Sequence, residues 1–377
     1  MKILLVGDYP DDPRLGSGKV YHKLREEFRR LGHTADVLLS PEMGARPRAA
    51  RLRWLVGPVL AERAIARAFR RHGAYDVIDV ASAEGAMIGV RRSIGGTTKV
   101  ALVSRSHGLE HLNFQRMIDD HVGGLVSKPW HRRIWYPAAR MSQVALAARL
   151  ADRLIVLNAT DRDFAVRRGW KPAEGIDIIP HGVSRRFLDS APPPDAPRGG
   201  GVLFCGSWDT VKGVDYLVAA MSLLAERGAP PRLTVLGPGL PADAVLAAFP
   251  ERVRPFVTVI PRADEEVVMR HYRGHDLLVM SSTYEGFGMV MVEAMSQRLP
   301  VVATAVGGAP ALLAGGRGVL IPPRQPEAIA SALRQLLGDA PLRRRLAEAA
   351  FAHVSAMSWT ATAERTLACY EAALASR

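Results

Sequence analysis

The run Ser281-Ser-Thr-Tyr-Glu-Gly-Phe-Gly-Met-Val-Met-Val-Glu293 puts two carboxylates and two glycines into one strand-to-helix turn. It follows an apolar strand, His275-Asp-Leu-Leu-Val-Met280. Gly286 and Gly288 let the backbone turn tightly and approach a ligand closely. A helix opening near Gly288 points its first N–H groups beyond the strand ends, and those donors and the helix dipole favour a phosphate. Glu285, in the loop, can accept hydrogen bonds from hydroxyl groups. Glu293 lies on the helix among Met289, Val290, Val292 and Met295. A carboxylate among apolar neighbours is costly unless paired, so a ligand hydroxyl or a buried basic group is expected beside it.

Two other sets of candidate ligands carry less. Asp161-Arg-Asp163 spells a metal-binding D-x-D, but Thr160 at a helix start reads as an N-cap with Asp163 as a favourable acid in the first turn. His107 and His111 stand four apart as His-Gly-Leu-Glu-His, in a stretch that reads as a loop. A zinc protease motif would carry its glutamate next to the first histidine. No metal site is expected.

The elements that must position these residues alternate between short apolar runs and amphipathic stretches. In the first half, strands are predicted at 2–7, 34–39, 76–80, 99–104, 153–157 and 176–180, and helices at 17–31, 59–71, 84–93, 131–150 and 160–168. Leu24, Phe28 and Leu31 form the one-sided stripe of a surface helix, with Arg25, Glu26, Arg29 and Arg30 between them. The stretch Ser190-Ala-Pro-Pro-Pro-Asp-Ala-Pro-Arg-Gly-Gly-Gly201 then reads as a linker. The pattern restarts with strands at 202–206, 232–236, 256–260, 276–280, 300–303 and 318–321. Helices are predicted at 213–227, 242–249, 265–273, 288–297, 308–314, 326–337 and 340–354, and a last one at about 359–375. Such alternation means βαβ units and parallel sheets, here in two α/β domains, 1–189 and 202–357, flanking a linker at 190–201. Two doubly wound sheets joined in this way place a ligand at the carboxyl ends of the strands.

The chain has 377 residues, which fits two domains. Two cysteines, Cys205 and Cys369, exclude a disulfide framework. No apolar run reaches the ~18 residues of a membrane span, and Met1 to Asp8 reads as a first strand rather than a signal peptide, as in a cytoplasmic protein. The net charge is 50 − 37 = +13. Residues 1–190 contribute 32 − 20 = +12 and residues 191–377 contribute 18 − 17 = +1. An anionic partner is therefore expected on the first half. Arg46 to Arg71 carries eight arginines against Glu62 alone, interleaved with Trp54, Leu55, Val56, Val59 and Leu60, and Lys128 to Tyr136 adds a second basic and aromatic stretch. Both suit a peripheral contact with an anionic membrane surface. No helix-turn-helix, zinc finger or ribonucleoprotein motif supports a nucleic-acid partner.

The acidic pair in YEGFGMVMVEAM, Glu285 and Glu293 with seven residues between them, resembles the E-x7-E signature of family 4 retaining glycosyltransferases. Phe204-Cys-Gly-Ser-Trp-Asp-Thr-Val-Lys-Gly213 is similar to the family's strand–loop–helix that grips a diphosphate. Ile179-Pro-His-Gly-Val183 resembles its hinge motif, Thr304-Ala-Val-Gly-Gly-Ala-Pro310 its second glycine loop, Ser104-Arg-Ser-His107 its N-domain histidine and Arg14-Leu-Gly-Ser-Gly18 its first glycine loop. The matches run in the family's order over nearly the whole chain.

The resemblance implies a GT-B architecture: two Rossmann-like domains facing across a cleft, with the sugar nucleotide on the second, the acceptor on the first, and the last helix (358–377) packed back on the first. It implies no cofactor and no metal; the donor is a UDP-sugar or GDP-sugar. It gives Lys212 the leaving diphosphate, Glu285 the sugar hydroxyls and Glu293 the ribose. Backbone N–H groups of Phe287, Gly288 and Met289, beside Gly286, face phosphate or sugar oxygens. Gly16 and Gly18 let the N-terminal loop close over the diphosphate, His107 sits near the reacting centre, and Arg262 lies near the base. Three positions depart from the family's pattern: Ser207 stands for its usual arginine, Ala311 for a glutamate, and His181 for an asparagine. The expected activity is transfer of a hexose-type sugar to a glycan or lipid-linked acceptor hydroxyl with retention. The rivals are a nucleotide-sugar epimerase and a non-catalytic nucleotide-sugar-binding protein.

Overall fold

The computed structural model describes residues 1–12, 16–45, 47–95, 99–124, 131–228 and 230–377, apart from the side chains of residues 50 and 131. The chain forms two compact units, Met1–His181 with Trp359–Arg377, and Gly182–Ser358.

The first unit holds a six-stranded sheet of β1 (Lys2–Val6), β2 (Thr34–Leu38), β3 (Val77–Ala81), β4 (Ala101–Arg105), β5 (Arg153–Val156) and β6 (Ile176–Ile178). Their order is β2-β1-β3-β4-β5-β6. All pairings are parallel, with Lys2 opposite Thr34 and Ile3 opposite Val77. Ile3, Leu4, Leu5 and Val6 are all buried, as expected of a strand covered on both faces. The direction of winding reverses between β1 and β3, so the loops after these strands part and leave a crevice at their carboxyl ends. The last helix, Trp359–Ala375, locks onto this sheet through a buried triad. Arg105 donates from Nε (2.9 Å) and Nη2 (2.6 Å) to Asp79, and the Tyr370 hydroxyl donates to the same carboxylate. None of the three is exposed, and charges so deep are tolerable only because they satisfy one another.

The second unit repeats the plan with β7 (Val202–Cys205), β8 (Leu233–Leu236), β9 (Val257–Ile260), β10 (Leu277–Met280), β11 (Val301–Thr304) and β12 (Val319–Ile321), ordered β12-β11-β10-β7-β8-β9. All pairs are again parallel. Here winding reverses between β7 and β10. The core joins Phe204, Leu217, Met221, Val235, Val279 and Leu333.

The twelve strands predicted from apolar runs all form, each end within two residues of its expected place. Four expectations need correction. Ser190–Gly201 belongs to the second unit, and the chain crosses at His181–Gly182 and again at Ser358–Trp359. Arg198 straps that segment down, donating to the carbonyls of Tyr272 (2.7 Å), His275 (3.0 Å) and Gln297 (2.8 Å). The helix expected at 59–71 runs Ala50–His72, with Pro58 inside it. The expected loop around His111 becomes a helix, Glu110–Val122. The single helix expected at 131–150 starts as widened turns, His131–Trp135 and Pro137–Met141, before regular helix at Ser142–Leu150.

Candidate active site

In the second unit three loops, after β7, β10 and β11, are packed backbone against backbone at the switch point. The loop after β7 makes a short turn, Thr210–Lys212, capped by Asp209, whose carboxylate accepts from the Lys212 N–H (3.1 Å). Gly213 follows with φ +64°, and a Cβ there would stand 1.9 Å from the Ser281 carbonyl oxygen. The loop after β10 is zipped to this turn. Ser281 Oγ donates to the Lys212 carbonyl (2.9 Å), and Thr283 N and Oγ1 donate to the Val211 and Thr210 carbonyls (2.8 and 3.1 Å). On the other side Gly307, with φ +54°, lets the loop after β11 touch the same segment; a Cβ would lie 1.6 Å from the Glu285 carbonyl oxygen. No other residue type fits either position.

This packing brings the two predicted groups into contact. Lys212 Nζ donates to Glu285 Oε2 at 2.7 Å, and both side chains remain partly open to solvent (25% and 14%). Ser282 Oγ also faces Glu285 Oε2, at 3.4 Å. Gly288, with φ +90°, caps the helix Met289–Ser296, which starts where the sequence places it. Gly286 and Phe287 are buried in the loop and Met289 is half-buried. Glu293 projects from this helix toward the Tyr272 hydroxyl, which reaches its Oε2 at 3.4 Å and Cys205 Sγ at 3.7 Å. Tyr272 is fully buried. A charge on Glu293 and one on Lys212 both act on Cys205, while burial pushes that thiol up to about 12. Lys212 and Glu285 thus meet directly, and Glu293 stands on the helix that follows the Glu285 loop, beyond the end of β10. One partner of Glu293 is a tyrosine hydroxyl. Sequence reasoning passed over Tyr272, because at its position on the helix Glu265–Gly274 it reads as core.

Ser207 lies in the loop after β7, where its Oγ donates to Asp209 (2.6 Å) and so supports the cap of the lysine turn. Arg262 follows β9, two strands from β7 in the sheet. It is exposed, and no described contact joins it to Lys212, Glu285 or Glu293.

In the first unit His107 sits past the end of β4, packed among Tyr9, Tyr21 and His181 with ring centroids 5.3–5.6 Å apart. Its Nε2 lies 3.2 Å from the Tyr21 hydroxyl, and its buried Nδ1 has no hydrogen-bond partner among the described residues. Burial, reinforced by His181 and Arg105, holds His107 well below the ordinary histidine range, so at neutral pH it is an uncharged hydrogen-bonding group. Gly16 and Gly18 open the helix Gly16–Arg30 that carries Tyr21. A Cβ on Gly18 would meet the Pro10 carbonyl oxygen at 2.8 Å, whereas one on Gly16 would meet open space. Arg14 and Leu15 of that motif lie outside the described residues.

Neither metal reading gains support. Asn158, not Thr160, caps the helix Ala159–Arg167, and its side chain accepts from Asp161 N (2.9 Å). Asp161 points inward, where burial pushes it up to about 7, while Asp163 is exposed beside Arg162. Among the described residues no group of three or more His, Cys, Asp or Glu side chains could hold an ion. The basic and aromatic stretches meet on the surface: Arg132 lies over Trp54 (5.1 Å), which packs on Tyr136, with Leu52, Leu55 and Ile134 39–64% exposed nearby in sequence. Arg46 and Lys128 to Trp130 lie outside the described residues. No described helix is long and apolar enough to cross a membrane.

Comparison with known proteins agrees with this geometry. Residues 16–187 match a family model described as Glycosyltransferase Family 4, and residues 199–339 one described as Glycosyl transferases group 1. A D-inositol 3-phosphate glycosyltransferase of Nocardia farcinica is 32% identical over 296 residues, which cover 73% of this chain and 62% of that one. The same-named protein of Jonesia denitrificans is 35% identical over 185 residues, 47% and 44% of the two chains. The matches span less than two thirds of the length of these relatives. Among solved structures, sucrose-phosphate synthase from Thermosynechococcus elongatus matches with a TM-score of 0.79 at 22% identity over 100% of both chains. Anabaena HepE in complex with UDP-glucose matches at 0.69 and 18% identity, over 98% and 100%. These likenesses give the fold: two Rossmann-like units of the GT-B kind.

Proposed function

The chain belongs to the family 4 glycosyltransferases, and on that premise we propose that it moves a hexose-type sugar from a UDP-sugar or GDP-sugar to an acceptor hydroxyl with retention. The observation that carries the reading is the Lys212–Glu285 pair at the mouth of the helix bearing Glu293.

Breaking the bond between C1 of the sugar and the diphosphate oxygen leaves positive charge on the sugar and negative charge on the leaving group. Lys212 meets that negative charge as a point cation, and preorganised N–H groups of Phe287, Gly288 and Met289 complete the cradle. Glu285 holds sugar hydroxyls, and Glu293 holds the ribose hydroxyls. In a same-face attack the acceptor oxygen bonds to C1 as the diphosphate leaves, and the acceptor proton passes to the departing phosphate. This needs no protein nucleophile, no metal and no cofactor. In the first unit, neutral His107 is the proposed hydrogen-bonding group for substrate, and Gly16 and Gly18 are the proposed points of close backbone approach to it. Ser207 leaves the diphosphate with one cation fewer than the family's usual arginine would give. Arg262 is proposed for the base.

HepE in complex with UDP-glucose supports a nucleotide-sugar donor. The acceptor is a glycan or lipid-linked hydroxyl, and the exposed Leu52, Leu55 and Ile134 beside Arg132 form the surface that would rest on an anionic membrane face. The test is release of UDP or GDP from a panel of sugar nucleotides, with and without acceptors that include D-inositol 3-phosphate. Acceptor-dependent release supports transfer; conversion of the sugar nucleotide without an acceptor would mean epimerisation instead.

A further inference from the structure

A cavity of about 750 Å³ lies along β2, the outer strand of the first sheet. Its floor is apolar, from Leu38, Ala64 and Ala68, and its wall is cationic, with Arg25 from one helix and Arg67, Arg70 and Arg71 from another. The two acids that line it are already engaged. Asp36 accepts from the Tyr75 hydroxyl at 2.8 Å and lies 3.9 Å from Arg29. The Glu42 carboxylate accepts from the Leu39 N–H at 3.0 Å. Arg67 is fixed on the wall by a 2.8 Å hydrogen bond to the Glu42 carbonyl. Among the described residues the Arg25 guanidinium has one hydrogen-bond contact, to His22 at 3.2 Å. Arg70 and Arg71 make no ion pair with a described residue.

Cations in the last turn of a helix complement its dipole, which accounts for Arg70 and Arg71 as surface residues. It does not account for Arg25, which comes from a different helix, or for the concave apolar floor between the two helices. We propose that this cavity is a second ligand site, specific for an organic anion of the phosphate-ester class: the arginines take the phosphoryl oxygens and the floor takes an apolar body. The site uses none of the residues assigned to sugar transfer.

Octyl phosphate is the probe, titrated calorimetrically into the full chain and into the double variant Arg70→Glu/Arg71→Glu, with Arg70→Gln/Arg71→Gln as a milder second variant. Both residues are exposed, so the fold should survive; circular dichroism checks this. One equivalent is expected to bind. Loss of two charge-assisted contacts should weaken binding by at least about tenfold in the charge-reversal variant, with a smaller loss in the glutamine variant. Vesicles of phosphatidylcholine with phosphatidic acid separate the sources of such a phosphate. Vesicle binding that falls in the variants together with octyl phosphate identifies a lipid headgroup. Vesicle binding that is absent or unaltered while octyl phosphate binding falls identifies a free ester. Octyl phosphate that fails to bind, or binds the variants as tightly as the parent, overturns the proposal.

Discussion

Glu285 and Lys212 stand in a 2.7 Å ion pair although they come from loops after different strands, β10 and β7. The carboxylate compensates the charge of the lysine. If Lys212 meets the diphosphate as proposed, a phosphoryl oxygen competes with Glu285 for the same ammonium, and donor binding has to draw Lys212 away from Glu285 or share it.

Replacing Lys212 with Ala removes the cation paired with Glu285, which the proposed function gives to the diphosphate. At about 2 kcal/mol for a charge-assisted contact, the dissociation constant for UDP or GDP should rise roughly 30-fold. Glu285→Gln should do the opposite to the free nucleotide, which then meets an uncompensated lysine, while sugar transfer falls. Calorimetry of nucleotide binding to the two variants checks both signs.

Gly307→Ala should damage the site more than its distance from the chemistry implies. The new Cβ would lie 1.6 Å from the Glu285 carbonyl oxygen, at a φ of +54°. Gly315 is the control, since φ is +68° but the nearest atom to a new Cβ is 3.8 Å away. Backbone strain alone costs about 1–2 kcal/mol, so Gly315→Ala should lower thermal stability by that amount and leave nucleotide binding intact. Gly307→Ala should lose more stability and lose nucleotide binding as well.

Tyr272→Phe removes the hydroxyl beside Glu293 without opening the core. A neutral hydrogen bond of about 0.5–1.5 kcal/mol translates to a rise of roughly two- to tenfold in the donor KM. With kcat nearly unchanged, this outcome would mark Tyr272 as positioning the ribose-binding carboxylate. Equal losses in kcat and in stability would mark it as core packing alone.

His181 gives the pH prediction. It is 4% exposed, and burial, with Arg105, brings it down to about 3. The unfolded chain takes up the proton near 6.5, so the folded state loses stability as pH falls from 6.5 toward 3, at about 1.4 kcal/mol per pH unit for each such histidine. His181→Asn should flatten the slope of stability against pH by that amount between about pH 4 and 6, measured by denaturant unfolding. An unchanged slope would mean that the imidazole already titrates in the fold.

The parts of this architecture that are legible in the sequence are those written in apolar runs and glycines. All twelve strands show as short runs rich in apolar residues, most plainly β1, β10 and β11, whose residues are nearly all buried. The helix start at Gly288 shows because only glycine accepts its φ. The helix Glu110–Val122 does not show, since its buried positions are Arg116 and Asp120, an ion pair where an apolar stripe would normally lie. The segment Ser190–Gly201 has the composition of a linker, but three backbone carbonyls held by Arg198 fix it to the second unit, and no composition reveals that contact. The pairing of Lys212 with Glu285 is likewise a product of the fold: 73 residues separate them, and only the adjacency of β7 and β10 brings them together.

The central claim is that the Lys212–Glu285 pair handles the sugar end of an activated donor. Acceptor-dependent release of UDP or GDP, compared between the parent chain and Glu285→Ala, tests it most directly. A loss of at least about 100-fold in turnover, equivalent to roughly 2.7 kcal/mol of transition-state stabilisation, is the predicted result. Turnover that persists at the parent rate would contradict the account.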